Sequence, residues 1–329
     1  MSNGKLGLDT APKVYLMAAL AGAILSLAVS FVNGDAYIFL GYAIPQLCYL
    51  AAIFIYLRKK DIPPGVAIPF KKPVKPAALL VAPLVAVGLF GQNLILAVSF
   101  QWLVKAIGID YSIVLPDFSS PLSYILGLLI MCILPAVGEE LLFRGVALRS
   151  ISEKGAVTAV FLSAALFSLS HGNLFQLVHQ FLLGAALAYL TVQTGNIIYA
   201  MEIHFVNNLL AITLPLIMPA YNSLAVPGPQ NAFIMLGICV AGVALLYPSM
   251  KLLIKASGGK EYSICKFLHS DKPSPEAKYT EGEPPACAPS CASDAVKKAW
   301  LIGLFVFLGA QILLNTLISA IPSLRAAMP

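Results

Sequence analysis

Residues 122–151 read LSYILGLLIMCILPAVGEELLFRGVALRSI. A helix rises 1.5 Å per residue, so about 20 apolar residues cross the hydrocarbon core of a bilayer, and this stretch is longer than that. Its charges are Glu139, Glu140, Arg144 and Arg149, set into an otherwise apolar run. A surface helix of a soluble protein carries polar residues along a whole face; this one concentrates them near its middle. It reads as a membrane span with ionisable groups inside it, and such groups mark a functional site by default.

The rest of the chain agrees. Comparable apolar runs cover 14–32, 36–57, 77–104, 156–170, 174–192, 196–218, 232–253 and 299–321. The 329 residues are 59% hydrophobic and 11% charged, with a mean hydropathy of +0.85. A typical soluble domain is about 25% charged, so the composition excludes a soluble fold, a disordered chain and a nucleic-acid-binding surface. Continuous rather than alternating apolar runs exclude a β-barrel. The expected fold is all-α, a polytopic helical membrane protein with eight to nine transmembrane helices. Span 156–170 is short, and 77–104 carries Pro83 and a Gly88, Gly91, Gln92, Asn93 stretch that can kink it. The first span reads as retained rather than as a cleaved signal peptide.

Basic residues sort by loop. Lys5 and Lys13 precede the first span, Arg58 to Lys75 follow the second, Arg149 and Lys154 follow the fourth, and Lys251 to Lys298 follow the eighth. The alternate loops hold Asp35, Asp110 and Asp117 and an uncharged 219–230. The positive-inside rule then places the N-terminus in the cytoplasm and the tail with Arg325 outside. Residues 257–298 hold 12 of the charged residues together with several prolines. They read as a flexible cytoplasmic linker between a transmembrane domain over 1–256 and an additional C-terminal helix over 299–329.

Cys48, Cys132 and Cys239 fall in spans, where a small apolar residue is the plain reading. Cys265, His269, Cys287 and Cys291 fall in the linker as C-x3-H and C-x3-C. They are candidate ligands for a structural zinc. The spacings are looser than usual and prolines surround the second pair, which favours reduced thiols in a solvated linker.

The polar residues within spans are Glu139, Glu140, Arg144, His171, His179, Glu202 and His204, with Asn207 and Asn208, all between residues 139 and 208. Glu140 and Arg144 are spaced i,i+4 and share a helix face, so they can pair. Glu139 lies about 100° around the helix and would keep a carboxylate free for general-base work. Counted from the cytoplasmic ends at 1.5 Å per residue, Glu139 lies at about 18 Å, His171 at about 22 Å, His204 at about 12 Å and Asn208 at about 18 Å. Three helices thus bring Glu, His and His/Asn to similar depth. A carboxylate with a histidine can hold and deprotonate a water; a second histidine and an amide can donate to the oxyanion formed when that water attacks a carbonyl. One Glu and two His also resemble a catalytic zinc set. In that alternative Asn208 has no clear role.

Three motifs stand in order: Glu139-Glu140-Leu-Leu-Phe-Arg144 as E-E-x-x-x-R, Phe167-Ser-Leu-Ser-His171 as F-x-x-x-H, and His204-Phe-Val-Asn-Asn208 as H-x-x-x-N. The chain resembles the CAAX protease and bacteriocin-processing family of intramembrane glutamate endopeptidases, which includes the Rce1-type prenyl proteases. The resemblance covers about residues 120–215, making spans four to seven the catalytic core. It implies Glu139 and His171 as the water-activating pair, His204 and Asn208 as oxyanion donors, and Glu140 with Arg144 in support. It implies a metal-independent peptidase with no cofactor, whose partners are the lipid bilayer and a peptide or protein substrate at the membrane, prenylated or of the bacteriocin type. His179 and Glu202 match no motif position; His179 reads as a packing histidine, and Glu202 as a residue tuning His204 or lining the cavity. Rce1-type members trim prenylated C-terminal tails on the cytoplasmic face, whereas many prokaryotic relatives are linked to peptide maturation, self-immunity or secretion. Short loops lean towards a prokaryotic cell membrane.

Two other classes remain beside the peptidase. One is a non-enzymatic binding or self-immunity protein that keeps the motifs structurally. The other is a transporter using the cluster as a proton relay, which inverted repeats would favour. The peptidase reading requires Glu139, His171, His204 and Asn208 to share one water-sized cavity, expected to open to the cytoplasm.

Overall fold

The computed structural model describes residues 6–70, 72–106, 115–259 and 294–320. Nine helices follow the apolar runs. They are α1 Thr10–Ala28, α2 Asp35–Lys59, α3 Pro76–Ala106, α4 Pro121–Lys154, α5 Ala156–Ser170, α6 Leu174–Thr194, α7 Ile198–Ile217, α8 Pro229–Ala256 and α9 Asp294–Ala320. Eight of them, among the described residues, have the length and apolarity to cross a membrane, and α5 is the shorter ninth. This is the all-α, multi-pass membrane protein expected from composition. The linker candidates Cys265, His269, Cys287 and Cys291 lie outside the described residues.

Helix α4 is not uniform. It alternates between α and π geometry, with π-helical turns at Leu128–Ile133 and Leu141–Ala147 flanking the α-helical Leu134–Glu140. Single π turns inside helices recur at functional sites because they rotate the residues beyond them and free a carbonyl. Here they bracket the paired glutamates.

The Gly88–Asn93 stretch does not interrupt α3, which is continuous from Pro76 to Ala106. Its glycines serve packing. A Cβ on Gly88 would meet the Leu246 Cα at 2.9 Å, and one on Gly242 would meet the Gln92 nitrogen at 2.6 Å. Without a hydrophobic driving force between helices in lipid, close backbone approach through small residues is a main source of attraction. Helices α3 and α8 use it.

Two ends of the bundle differ. At the end carrying most basic residues, the loops are tied together. The Lys72 Nζ donates to the Gly258 carbonyl at 3.1 Å, the Asn196 Nδ2 to the Lys72 carbonyl at 2.6 Å, and the Arg149 Nε to the Val66 carbonyl at 3.2 Å. The start of α9 joins this end through Lys13, whose Nζ lies 5.5 Å from the Trp300 ring centroid. At the other end, α9 reaches the turn after α5, where the Asn315 Nδ2 donates to the Gly172 carbonyl at 2.7 Å. That contact has a physical reason. Fifteen residues of α5 rise only about 22 Å, less than the ~30 Å hydrocarbon core, so the turn sits at membrane depth. Irregular backbone is tolerated there only when protein satisfies it.

Replacing Gly242 by alanine is expected to force α3 and α8 apart and cost about 1–3 kcal/mol, lowering the thermal-unfolding midpoint in detergent. Gly237→Ala, on the same helix with nothing near its would-be Cβ, is expected to be neutral or stabilising, by up to about 1 kcal/mol.

Candidate active site

Glu140 and Arg144 are paired as their spacing suggested, and both are fully buried. The Arg144 NH1 donates to the Glu140 Oε1 at 2.6 Å, while its NH2 donates to the Gly184 carbonyl of α6 at 3.2 Å. The guanidinium carbon lies 4.3 Å from the centroid of the Phe167 ring, a cation–π contact. A third group joins them. The His204 Nδ1 lies 2.8 Å from the same Glu140 Oε1. One buried carboxylate oxygen therefore links α4 to α7, and its arginine links α4 to α5 and α6.

Glu139 points elsewhere. Its Oε1 accepts a hydrogen bond from the Gln46 Nε2 of α2 at 2.7 Å. Its Oε2 is buried with no hydrogen-bond partner and stands 3.8 Å from the His204 Nε2. Of the two adjacent glutamates, Glu140 is fully enclosed, whereas Glu139 borders a cavity of about 410 Å³.

His171 follows the last residue of α5, and Gly172 beyond it has φ +62°, the left-handed conformation that glycine adopts without strain. The His171 Nδ1 lies 2.8 Å from the Phe167 carbonyl. A carbonyl only accepts, so Nδ1 carries the hydrogen and Nε2 of the neutral ring carries the lone pair. The Phe167 ring meets both histidines edge-on, His171 at 4.9 Å and His204 at 5.8 Å between centroids. Phe167 is thus a platform for two imidazoles and a guanidinium.

Asn208 lies one turn beyond His204 on α7. Its Nδ2 donates to the Met131 carbonyl at 3.2 Å, within the first π turn of α4, leaving a second N–H. Glu139, His171, His204 and Asn208 all line the same cavity. Its polar lining also includes His179, Asn93 and Gln180, and the Asn93 Oδ1 and Gln180 Oε1 are buried with no hydrogen-bond partner. His179 thus faces the cavity rather than serving packing alone, whereas Glu202 is not among the lining residues.

Gln46 escaped the sequence reading, which followed ionisable groups; the signal was a carboxamide within an apolar span, beside Pro45. The shared contact between His204 and Glu140 escaped it too, because spacing along one helix says nothing about a partner 64 residues away. Among the described residues, no three His, Cys, Asp or Glu side chains are grouped as a metal ion would need.

Residues 121–210 match a family model described as Rce1-like, type II CAAX prenyl endopeptidase Rce1-like. The match begins at the first residue of α4 and ends within α7, so it spans all three motifs. No curated protein and no solved structure matches the chain.

Arg144→Ala leaves a buried carboxylate with only His204 beside it and is expected to cost about 3–5 kcal/mol, read as a lowered unfolding midpoint. Arg144→Lys is expected to recover only part of this, because a lysine cannot donate in a planar fork to Glu140 and Gly184 together. Full recovery by lysine would show that the fork is not what the site needs.

Proposed function

We propose that this chain, a multi-pass membrane protein whose residues 121–210 form an Rce1-like domain, is an intramembrane endopeptidase. In this reading it hydrolyses a peptide bond by direct attack of water. The observation that carries the proposal is that one cavity is lined by two basic groups: Glu139, whose Oε2 has no hydrogen-bond partner, and His171, whose Nδ1 is turned to the Phe167 carbonyl so that Nε2 holds the lone pair. Water held between them gives a proton to Glu139 while its oxygen attacks the substrate carbonyl carbon. The resulting oxyanion takes hydrogen bonds from the spare N–H of Asn208 and from His204. The Nδ1 of His204 faces the Glu140 carboxylate, which only accepts, so its Nε2 can donate to the oxyanion only when the ring carries both hydrogens. The proton on Glu139 then passes to the departing nitrogen and the C–N bond breaks. Glu140 and Arg144 position His204; Gln46 orients Glu139. The unpartnered oxygens of Asn93 and Gln180 suit the N–H groups of an extended peptide, since a buried acceptor left unmet costs about 1–3 kcal/mol.

Residues 1–256 then form the protease bundle, 257–298 a connecting segment, and α9 a brace for the turn carrying His171. A second reading is favoured by one observation. The buried Glu140–Arg144–His204 lock would be worth keeping for packing alone, as in a self-immunity protein that binds without cleaving.

Purified wild-type protein in proteoliposomes is expected to cleave membrane-embedded peptides. Glu139→Gln and His171→Ala are each expected to lower kcat by about 10²–10⁴-fold with the fold intact by circular dichroism. Asn208→Ala is expected to lower it by about 10²–10³-fold. Undiminished cleavage in both Glu139→Gln and His171→Ala would overturn the peptidase reading; an immunity phenotype unaffected by them would support the second.

A further inference from the structure

The geometry points to a cavity that opens on the face of the membrane opposite the basic loops, away from the cytoplasm. Its substrate is then a peptide segment presented from that face, not a cytoplasmic prenylated tail. The substrate part of this inference rests on the peptidase reading; the orientation does not.

Three observations carry it. First, charge is divided between the two ends of the bundle. Apart from Arg144 inside it, the basic side chains of the described residues lie at the end where α2, α4, α6 and α8 finish; the exception is Lys105, at the far end of α3. Asp35 and Asp117 lie at the far end with it. The positive-inside rule makes the basic end cytoplasmic. Second, the cavity runs only one way from its floor at Glu139 and His204. Its lining on α4 precedes Glu139, on α7 follows His204, on α3 continues to Gln101 and on α6 stays within the first half of the helix. In each helix that direction is away from the basic end, and the rim residues Gln101 and Leu115 are exposed. Third, the route to the basic end is filled. One turn nearer the basic end than the lining residues Glu139, His171, Leu183 and His204 stand Phe143, Phe167, Leu187 and Ala200, each at most 2% exposed.

A peptide therefore reaches Glu139 from the non-basic face or laterally from the lipid. No lysine or arginine lines the cavity among the described residues, so nothing there clamps a C-terminal carboxylate. That favours an internal bond of an exported or membrane-inserted peptide over removal of a short C-terminal tail.

Orientation is testable without any cleavage assay. Single cysteines are placed at Val226, 61% exposed in the loop beyond the rim, and at Lys60, exposed in the basic loop. The full chain carries them in a background with its six native cysteines replaced by alanine, and intact expressing cells are treated with a membrane-impermeant maleimide. Val226→Cys is expected to label in intact cells and Lys60→Cys only after permeabilisation, a difference of at least tenfold in labelling. The reverse pattern, or equal labelling of both, would overturn the inference while leaving the proteoliposome test of proteolysis untouched. With the orientation upheld, a transmembrane reporter peptide with its cleavable segment outside is expected to be cut, and one with the same segment inside the cell to be spared. Cleavage of only the inside reporter would overturn the substrate assignment.

Discussion

The Glu140 carboxylate is the point on which the structure turns. It sits fully buried in a membrane bundle, and a lone ion in such surroundings costs several kcal/mol. That cost is offset only by bringing partners to it: Arg144 from its own helix and His204 from α7. Arg144 in turn requires the Gly184 carbonyl and the Phe167 ring, so α5 and α6 must close around it. Four helices are thereby fixed relative to one another by charge rather than by apolar contact, which lipid supplies equally well outside the bundle. The neighbouring Glu139 inherits the result. It is held by Gln46 at one oxygen and left unpartnered at the other, beside a cavity.

The same constraint divides the bundle along its axis. On one side of the charge cluster Phe143, Phe167 and Leu187 are buried, and the loops beyond them are tied through Asn196, Lys72 and Arg149. On the other side, α3, α4, α6 and α7 surround open space lined by carboxamides and imidazoles. A polar cavity in a bilayer must be reached by water or by a polar ligand. The ninth helix, an appendage by sequence, contributes Asn315 to the turn that carries His171.

Much of this was legible in the chain. Apolar run lengths gave the nine helices within a few residues at most ends, and i,i+4 spacing gave the Glu140–Arg144 pair. What escaped was of two kinds. Contacts between distant segments, such as Gln46 with Glu139 or His204 with Glu140, leave no trace in local periodicity. Residues with two physical uses were read for the wrong one: Gly88 and Gly91 suggest flexibility in isolation, yet they sit where α8 approaches α3 closely. The direction in which the cavity opens was out of reach for a third reason. Depth estimates located the catalytic candidates, but a list of depths does not say on which side of them the helices part.

The central claim is that His204 and Glu140 are energetically coupled in the buried lock. A double-mutant cycle with Glu140→Gln, His204→Gln and the pair, followed by unfolding in mixed micelles on SDS titration, measures that coupling directly. A coupling of about 1 kcal/mol or more is expected for groups in one buried network, whereas losses that add to within about 0.3 kcal/mol would contradict it.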